Sequence, residues 1–192
     1  MIYKTIRNSL FFIDICDKLY KMKIVLLGYM SSGKSTIGKS LSKKMYLPFL
    51  DLDFYIEEKE KLSVKDIFEQ KGEIYFRKIE NRYLKELLDS DRKFILSLGG
   101  GTPCYANNME LILASKAVSI YLEANIKTLL ERLVHGKKER PLIAELSDEQ
   151  LTEFIAKHLF ERRFYYEQAN KKIKIDDKSI KNICTEIRIL LH

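Results

Sequence analysis

The sequence predicts a three-layer α/β/α domain built on a five-stranded, mainly parallel β-sheet. Three observations carry that reading. Short apolar runs alternate with segments whose apolar residues recur at helical spacing. The first run leads directly into Gly28-x-x-x-x-Gly33-Lys34-Ser35, followed by Ile37, Leu41 and Met45 at every fourth residue. No internal repeat, low-complexity tract or interdomain linker breaks the 192 residues, so 22–192 reads as one domain.

Lys23–Leu27 is the first strand, and the loop after it is built to hold phosphate. Gly28 and Gly33 admit backbone angles that gather several N–H groups on one concave surface. The helix beginning near Lys34 adds its positive dipole end and unpaired amides. Lys34 supplies a full charge for β- and γ-phosphates, and the Ser35 hydroxyl is placed for Mg²⁺. The expected triphosphate-binding set is therefore Gly28, Ser31, Ser32, Gly33, Lys34, Ser35 and Thr36.

The second strand follows Pro48 and ends in Asp51-Leu52-Asp53. Alternation puts both carboxylates on one side of the strand's carboxyl end, where open α/β sheets bind ligands. One can hold Mg²⁺-bound water while the other reaches a substrate hydroxyl. Asp53 also suits the N-cap of the helix starting at Phe54. Ser63-x-x-Asp66 opens another helix that closes near Gly72, and Glu73–Leu88 forms a third with Phe76, Ile79, Tyr83 and Leu87 inward. Glu73 and Glu80 lie at i−4 and i+3 from Arg77, bracing a guanidinium suited to a carboxylate.

The third strand, Phe94–Leu98, enters Gly99-Gly100-Gly101. Three successive glycines after a buried strand imply a sharp turn or close approach to a substrate. Cys104 follows and reads as a small buried thiol. Met109–Leu113 is a short helix and Ala117–Leu122 the fourth strand. Asn125 caps a helix with Ile126, Leu129, Leu130, Leu133 and Val134 on one face, and this helix carries Arg132. Gly136-Lys-Lys-Glu-Arg140-Pro141 reads as a loop that near a triphosphate would be a lid, with Arg140 neutralising charge. Ser147 starts a helix whose stripe is Leu151, Phe154, Ile155, His158 and Leu159. Arg162 continues that stripe, while Arg163 is rotated by about 100°. An inward arginine needs an anionic partner, so Arg162 is the substrate-anion candidate. Lys172–Ile175 is an edge strand, and Ile180, Ile183, Cys184, Ile187 and Leu190 line a last helix.

The net charge of +7 implies attraction to anions, but the basic residues are interspersed with Glu and form no nucleic-acid stripe. Cys16, Cys104 and Cys184 are odd in number and far apart, and His135, His158 and His192 lack ligand spacing. A reducing cytoplasm is expected, without a disulfide scaffold or zinc site. No apolar run approaches the ~20 residues of a membrane span. Residues 1–21 admit two readings: translation from an upstream start codon, since Met22 directly precedes the first strand, or a peripheral helix packing Phe11, Ile15 and Leu19.

Taken in order, these motifs closely resemble shikimate kinases, which share the adenylate-kinase-like plan. The resemblance covers about residues 22–178. It rests on the phosphate loop, Asp51 and Asp53, then Gly72-Glu73, Phe76-Arg77 and Glu80, the triplet Gly99–Gly101, Arg140-Pro141-Leu142, and Arg162 with Tyr166. Ser31 departs from a glycine common in the family's loop, and no proline precedes Tyr166.

The resemblance implies Mg²⁺-dependent transfer of the ATP γ-phosphate to the 3-hydroxyl of shikimate. It implies that Asp53 holds the hydroxyls and acts as base or orienter, and that Asp51 helps Ser35 hold Mg²⁺. Arg77 and Arg162 would clamp the carboxylate, with Gly99, Gly100 and Gly101 lining the acid site and Gly100 offering backbone to a hydroxyl. Arg132 would flank adenine, and Arg140 would close over the phosphates. The substrate-binding segment would span about 53–90 and the lid about 135–147. The expectation is a cytoplasmic monomer with ATP and shikimate as partners, and neither nucleic acid nor membrane. The rivals are another small-molecule kinase, such as a gluconate or nucleoside monophosphate kinase, and a catalytically silent nucleotide-binding homologue.

Overall fold

All five expected strands form. They are β1 (Lys23–Leu27), β2 (Phe49–Asp51), β3 (Phe94–Ser97), β4 (Val118–Glu123) and β5 (Lys171–Lys174), as the computed structural model describes them within residues 22–135 and 143–191. The readings placed on 1–21 and on Arg140, Pro141 and Leu142 lie outside the described residues. Strand order is β2-β3-β1-β4-β5. Every pairing is parallel, a stricter arrangement than "mainly parallel". Ile24–Leu27 and Phe94–Ser97 are buried throughout. That is the pattern of a parallel sheet covered on both faces, and it explains why these runs are continuously apolar.

Between them run α1 (Lys34–Met45), α2 (Leu52–Glu60), α3 (Val64–Asp89), α4 (Asn108–Ala114), α5 (Ile126–His135), α6 (Asp148–Tyr166) and α7 (Ile180–Leu190), plus a 3₁₀ turn at Thr102–Cys104. The caps are largely those the sequence announces. The Ser63 hydroxyl accepts from Asp66 N at 3.1 Å, and Asn125 Oδ1 from Thr128 N at 2.7 Å. Ser147 and Gln150 complete a reciprocal capping box. The two helices expected on either side of Gly72 are one 26-residue segment broken there, at φ 81° and ψ 170°. The second part of α3, beyond the break, carries Arg77 and Glu80 to the turn that follows β3.

Two readings need correction. Alternation predicts that Asp51 and Asp53 align, with Asp53 as the cap, but the strand ends at Asp51 and α2 begins at Leu52. Asp51 is the cap, its Oδ1 accepting from Asp53 N at 3.2 Å. A helical first turn, not a pleat, brings both carboxylates to the same cavity. The spacing predicts Val134 on the inner face of α5, yet it is exposed: the face that packs on the core carries Leu129 and Leu133, flanked by Ile126 and Leu130.

The strand order sets the site. β1 and β3 are neighbours, so the phosphate loop after β1 and the glycine turn after β3 emerge side by side at the sheet's carboxyl edge. Leu98 N donates to Leu26 O at 3.1 Å, carrying the ladder up to the turn. The α2–α3 unit is tied together at Glu60, which accepts from the hydroxyls of Tyr83 at 2.6 Å and Tyr75 at 2.8 Å.

At the other edge, the side chain of Asn170 substitutes for a strand residue. Its Oδ1 accepts from Ser119 N at 2.9 Å and from the Ser119 hydroxyl at 2.8 Å, while Asn170 N donates to Ser119 Oγ at 3.0 Å. Ser119 is fully buried, so losing this partner strands polar groups in the interior. Asn170→Ala is expected to lower unfolding free energy by about 1–3 kcal/mol, read from urea denaturation. An unchanged midpoint would contradict the role given to this side chain.

Candidate active site

The phosphate loop takes the shape its glycines require. Gly28 has φ 145°, and a β-carbon there would lie 2.8 Å from Leu122 O. Gly33, at φ 90°, leads into α1. Ser31, where glycine is common in the family it resembles, sits at φ 61°, in the left-handed region. Lys34 is buried and donates to Gly28 O at 2.8 Å and Tyr29 O at 2.9 Å, spanning the loop from within. The loop, Thr36, Asp51, Asp53, Gly99, Gly100, Arg132, Lys178 and Ile180 line a cavity of about 660 Å³. That is ample for a nucleotide-sized ligand. Arg132 reaches the loop, its Nη1 donating to Ser31 O at 3.3 Å.

Beneath the loop, the Ser35 hydroxyl donates to Asp51 Oδ2 at 2.8 Å and lies 3.3 Å from Ser97 Oγ. Hard oxygen donors beside a phosphate cradle fit Mg²⁺, which takes one or two protein oxygens and completes its shell with phosphates and water. Ser97 was not foreseen; as the residue ending β3 level with Asp51 in the sheet register, it could have been.

The glycine turn gathers the remaining candidates. A β-carbon at Gly99 would stand 3.4 Å from Asp53 Oδ1, at Gly100 3.6 Å from Arg162 Nη1, and at Gly101 3.4 Å from Arg77 Nη2. One carboxylate and two guanidinium groups thus meet the same three residues. None of the three glycines has a positive φ. Their smallness, not left-handed freedom, is what the turn uses. Arg163, by contrast, is exposed and pairs with Glu167 at 3.5 Å, which settles which arginine of the pair faces inward.

Comparison with known proteins gives the family. The shikimate kinase family model matches residues 30–191. The shikimate kinase of Flavobacterium johnsoniae is 55% identical over 169 residues, covering 88% of this chain and 98% of that protein. Among solved structures, the shikimate kinase of Bacteroides thetaiotaomicron superposes with a TM-score of 0.82 at 33% identity, covering 88% of this chain and 98% of that one. The enzyme from Acinetobacter baumannii, solved in complex with shikimate, gives 0.80 at 28% identity over 92% and 96%. The chain belongs to the shikimate kinase family.

In this member of the family, Arg77 is held from several sides. Nη1 donates to Glu80 Oε2 at 2.9 Å, and Nε to Glu73 Oε1 at 3.3 Å. The guanidinium lies 3.9 Å from the centre of the Tyr105 ring and 5.2 Å from that of Phe76. Burial opposes its charge, but Glu80, Tyr105 and Glu73 together outweigh burial and raise its pKa above the ordinary arginine value. Glu80 is only 1% exposed, and its other oxygen accepts from Thr102 Oγ1 at 2.6 Å. It therefore joins Arg77 to the end of the glycine turn. Asn108 Nδ2 donates to Thr102 O at 2.8 Å, and the Tyr166 hydroxyl donates to Gly100 O. Thr102 and Tyr105 escaped the sequence reading because their partners, Glu80 and Arg77, lie on α3, and Asn108 because its Oδ1 accepts from Asn81 on the same helix. The only local signal is their position directly behind the triplet.

Electrostatics separate Asp53 from its neighbours. Loss of water around its carboxyl, followed by the charges of Asp51 and Glu80, pushes its pKa from 3.8 to about 6, with Lys34 pulling the other way. It still titrates below neutrality, so it is mainly ionised at pH 7 and a better proton acceptor than an ordinary aspartate. Cys104 is pushed up to about 11 by burial, against the pull of Arg162 and Arg77. A thiol so placed stays protonated, in keeping with a packing role.

Stability should report the same strain. A carboxyl with raised pKa favours the folded state below its unfolded pKa of 3.8 and loses that contribution as pH rises through about 6. Asp53→Asn is therefore expected to stabilise the ligand-free protein by about 1–3 kcal/mol at pH 8, with the gain vanishing below pH ~4. A variant melting lower than wild type at pH 8 would contradict the assignment.

Proposed function

We propose that this chain catalyses Mg²⁺-dependent transfer of the γ-phosphate of ATP to the 3-hydroxyl of shikimate, giving shikimate 3-phosphate and ADP for aromatic amino acid biosynthesis. The observation that carries the proposal is the meeting of Asp53, Arg162 and Arg77 at Gly99–Gly101, directly beside the phosphate loop. Two arginines and a carboxylate suit a small acid bearing hydroxyl groups.

The chemistry asks for positioning and charge balance more than for covalent help. Arg77 and Arg162 take the substrate carboxylate, which orients the ring so that its hydroxyl faces Asp53. Asp53, ionised at neutral pH, accepts or orients the hydroxyl proton. The amides of Gly28 to Thr36 and the Lys34 ammonium hold the β- and γ-phosphates. Ser35 and Asp51 would hold Mg²⁺, which supplies charge neutralisation at the phosphates. Arg132 flanks the base. The enzyme works as a cytoplasmic monomer with no nucleic-acid or membrane partner. Among the described residues, no helix is long and apolar enough to cross a membrane.

A coupled ADP-release assay across shikimate, gluconate and nucleoside monophosphates tests the substrate directly. Turnover with shikimate alone is expected, and turnover only with the others would overturn the proposal. Asp53→Asn should cost at least about 10²-fold in kcat with nucleotide affinity nearly intact; equal loss of both would remove Asp53 from the chemistry. In wild type, kcat/KM should fall as pH drops through about 6, where Asp53 takes up its proton. Arg77→Lys should raise the shikimate KM about tenfold, because a point charge replaces a planar fork. An unchanged KM would take Arg77 out of the clamp.

A further inference from the structure

Tyr29 occupies a variable position of the phosphate loop, between Gly28 and Met30, and its side chain is 1% exposed. Its main chain serves the phosphate side: its carbonyl accepts from Lys34 Nζ at 2.9 Å and from Ser32 N at 3.2 Å. The ring leaves the loop and runs to α6. There the hydroxyl lies 3.3 Å from Nδ1 of His158, whose ring is packed against Phe154 at a centroid distance of 4.1 Å. Arg162 is one turn further along α6, on the same face as His158. Its guanidinium carbon stands 5.6 Å from the centre of the Tyr29 ring, and its Nη1 faces the place a Gly100 β-carbon would occupy. Arg162 is thus framed by the ring of a phosphate-loop residue on one side and the glycine turn on the other.

We infer that Tyr29 and His158 form a positioning pair for Arg162, joining the nucleotide loop to the arginine at the acid site. The inference rests on the reading of Arg162 as a carboxylate ligand. A cation over an aromatic face is favoured only while that face keeps its orientation. The hydroxyl at one end of the Tyr29 ring and the loop backbone at the other fix it. Burial, reinforced by the neighbouring Arg162 charge, holds the His158 pKa below its ordinary value. A neutral His158 can accept the tyrosyl proton at Nδ1 and adds no second positive charge beside Arg162. Because the Tyr29 carbonyl touches Lys34, a change at the phosphates and a change at the acid carboxylate act on the same residue.

Steady-state kinetics of the full chain provides the test. Tyr29→Phe, which removes only the hydroxyl, should raise the shikimate KM about three- to tenfold, with kcat and the ATP KM moving less than twofold and Tm nearly unchanged. His158→Ala should act in the same direction, and the double variant should be no worse than the more affected single variant, because both remove one bond. An unchanged shikimate KM in Tyr29→Phe, additive effects, or equal rises in both KM values with a fall in Tm would each overturn the pair. Arg162→Ala, measured alongside, separates the two levels. If it raises the shikimate KM while Tyr29→Phe does not, the pair alone fails. If Arg162→Ala itself leaves the KM unchanged, the carboxylate reading fails and takes the pair with it.

Discussion

The constraint on which the site depends is an absence: three consecutive residues at the end of β3 carry no β-carbon. Asp53 comes from the first turn of α2, Arg77 from the middle of α3 and Arg162 from α6, segments far apart in the chain. Each reaches to within about a van der Waals contact of where a glycine's side chain would begin. Any larger residue at Gly99, Gly100 or Gly101 would compete for the space these charged groups occupy. The sheet order makes this convergence useful, since β1 and β3 are adjacent and the phosphate loop opens onto the same turn.

Charge has to be balanced for such a turn to exist. Glu80 is buried, and its two oxygens are spent on Arg77 and on Thr102, so neither the carboxylate nor the guanidinium is left uncompensated. Burial first, then the charges of Asp51 and this same carboxylate, raise the pKa of Asp53 against the pull of Lys34. Carboxylates at Asp51 and Asp53, facing a loop of amides and the buried Lys34, suit a substrate hydroxyl on one side and a cation-bearing triphosphate on the other. Helix α6 contributes from the far side through Arg162 and through Tyr166, whose hydroxyl holds the Gly100 carbonyl.

Much of this was legible in the residues alone. The phosphate loop, the five strands, the break at Gly72, the bracing of Arg77 by Glu73 and Glu80, and the choice of Arg162 over Arg163 all follow from local spacing, because each is a matter of periodicity within one element. The failures share a cause as well. Strand pleating aligns Asp51 and Asp53 on paper, whereas the chain turns into α2 two residues earlier; the position of a strand end depends on where its neighbour β3 stops pairing. Val134 sits on an apolar stripe wider than the contact α5 makes. Tyr29, Thr102, Tyr105 and His158 act through partners dozens of residues away, and nothing in their local sequence names those partners. Ser31 is the reverse case: its identity departs from the resemblance, and only its left-handed backbone shows what a glycine would do there.

The central claim is that one turn brings an acid-binding pair of arginines and a proton-accepting aspartate to the mouth of a triphosphate site. A crystal structure of the protein with shikimate and a non-hydrolysable ATP analogue measures this most directly. The expected result is a substrate carboxylate within about 3.2 Å of guanidinium nitrogens of both Arg77 and Arg162, with a ring hydroxyl on Asp53 facing the γ-phosphate. Shikimate bound elsewhere, with neither arginine within hydrogen-bond reach of its carboxylate, would contradict it.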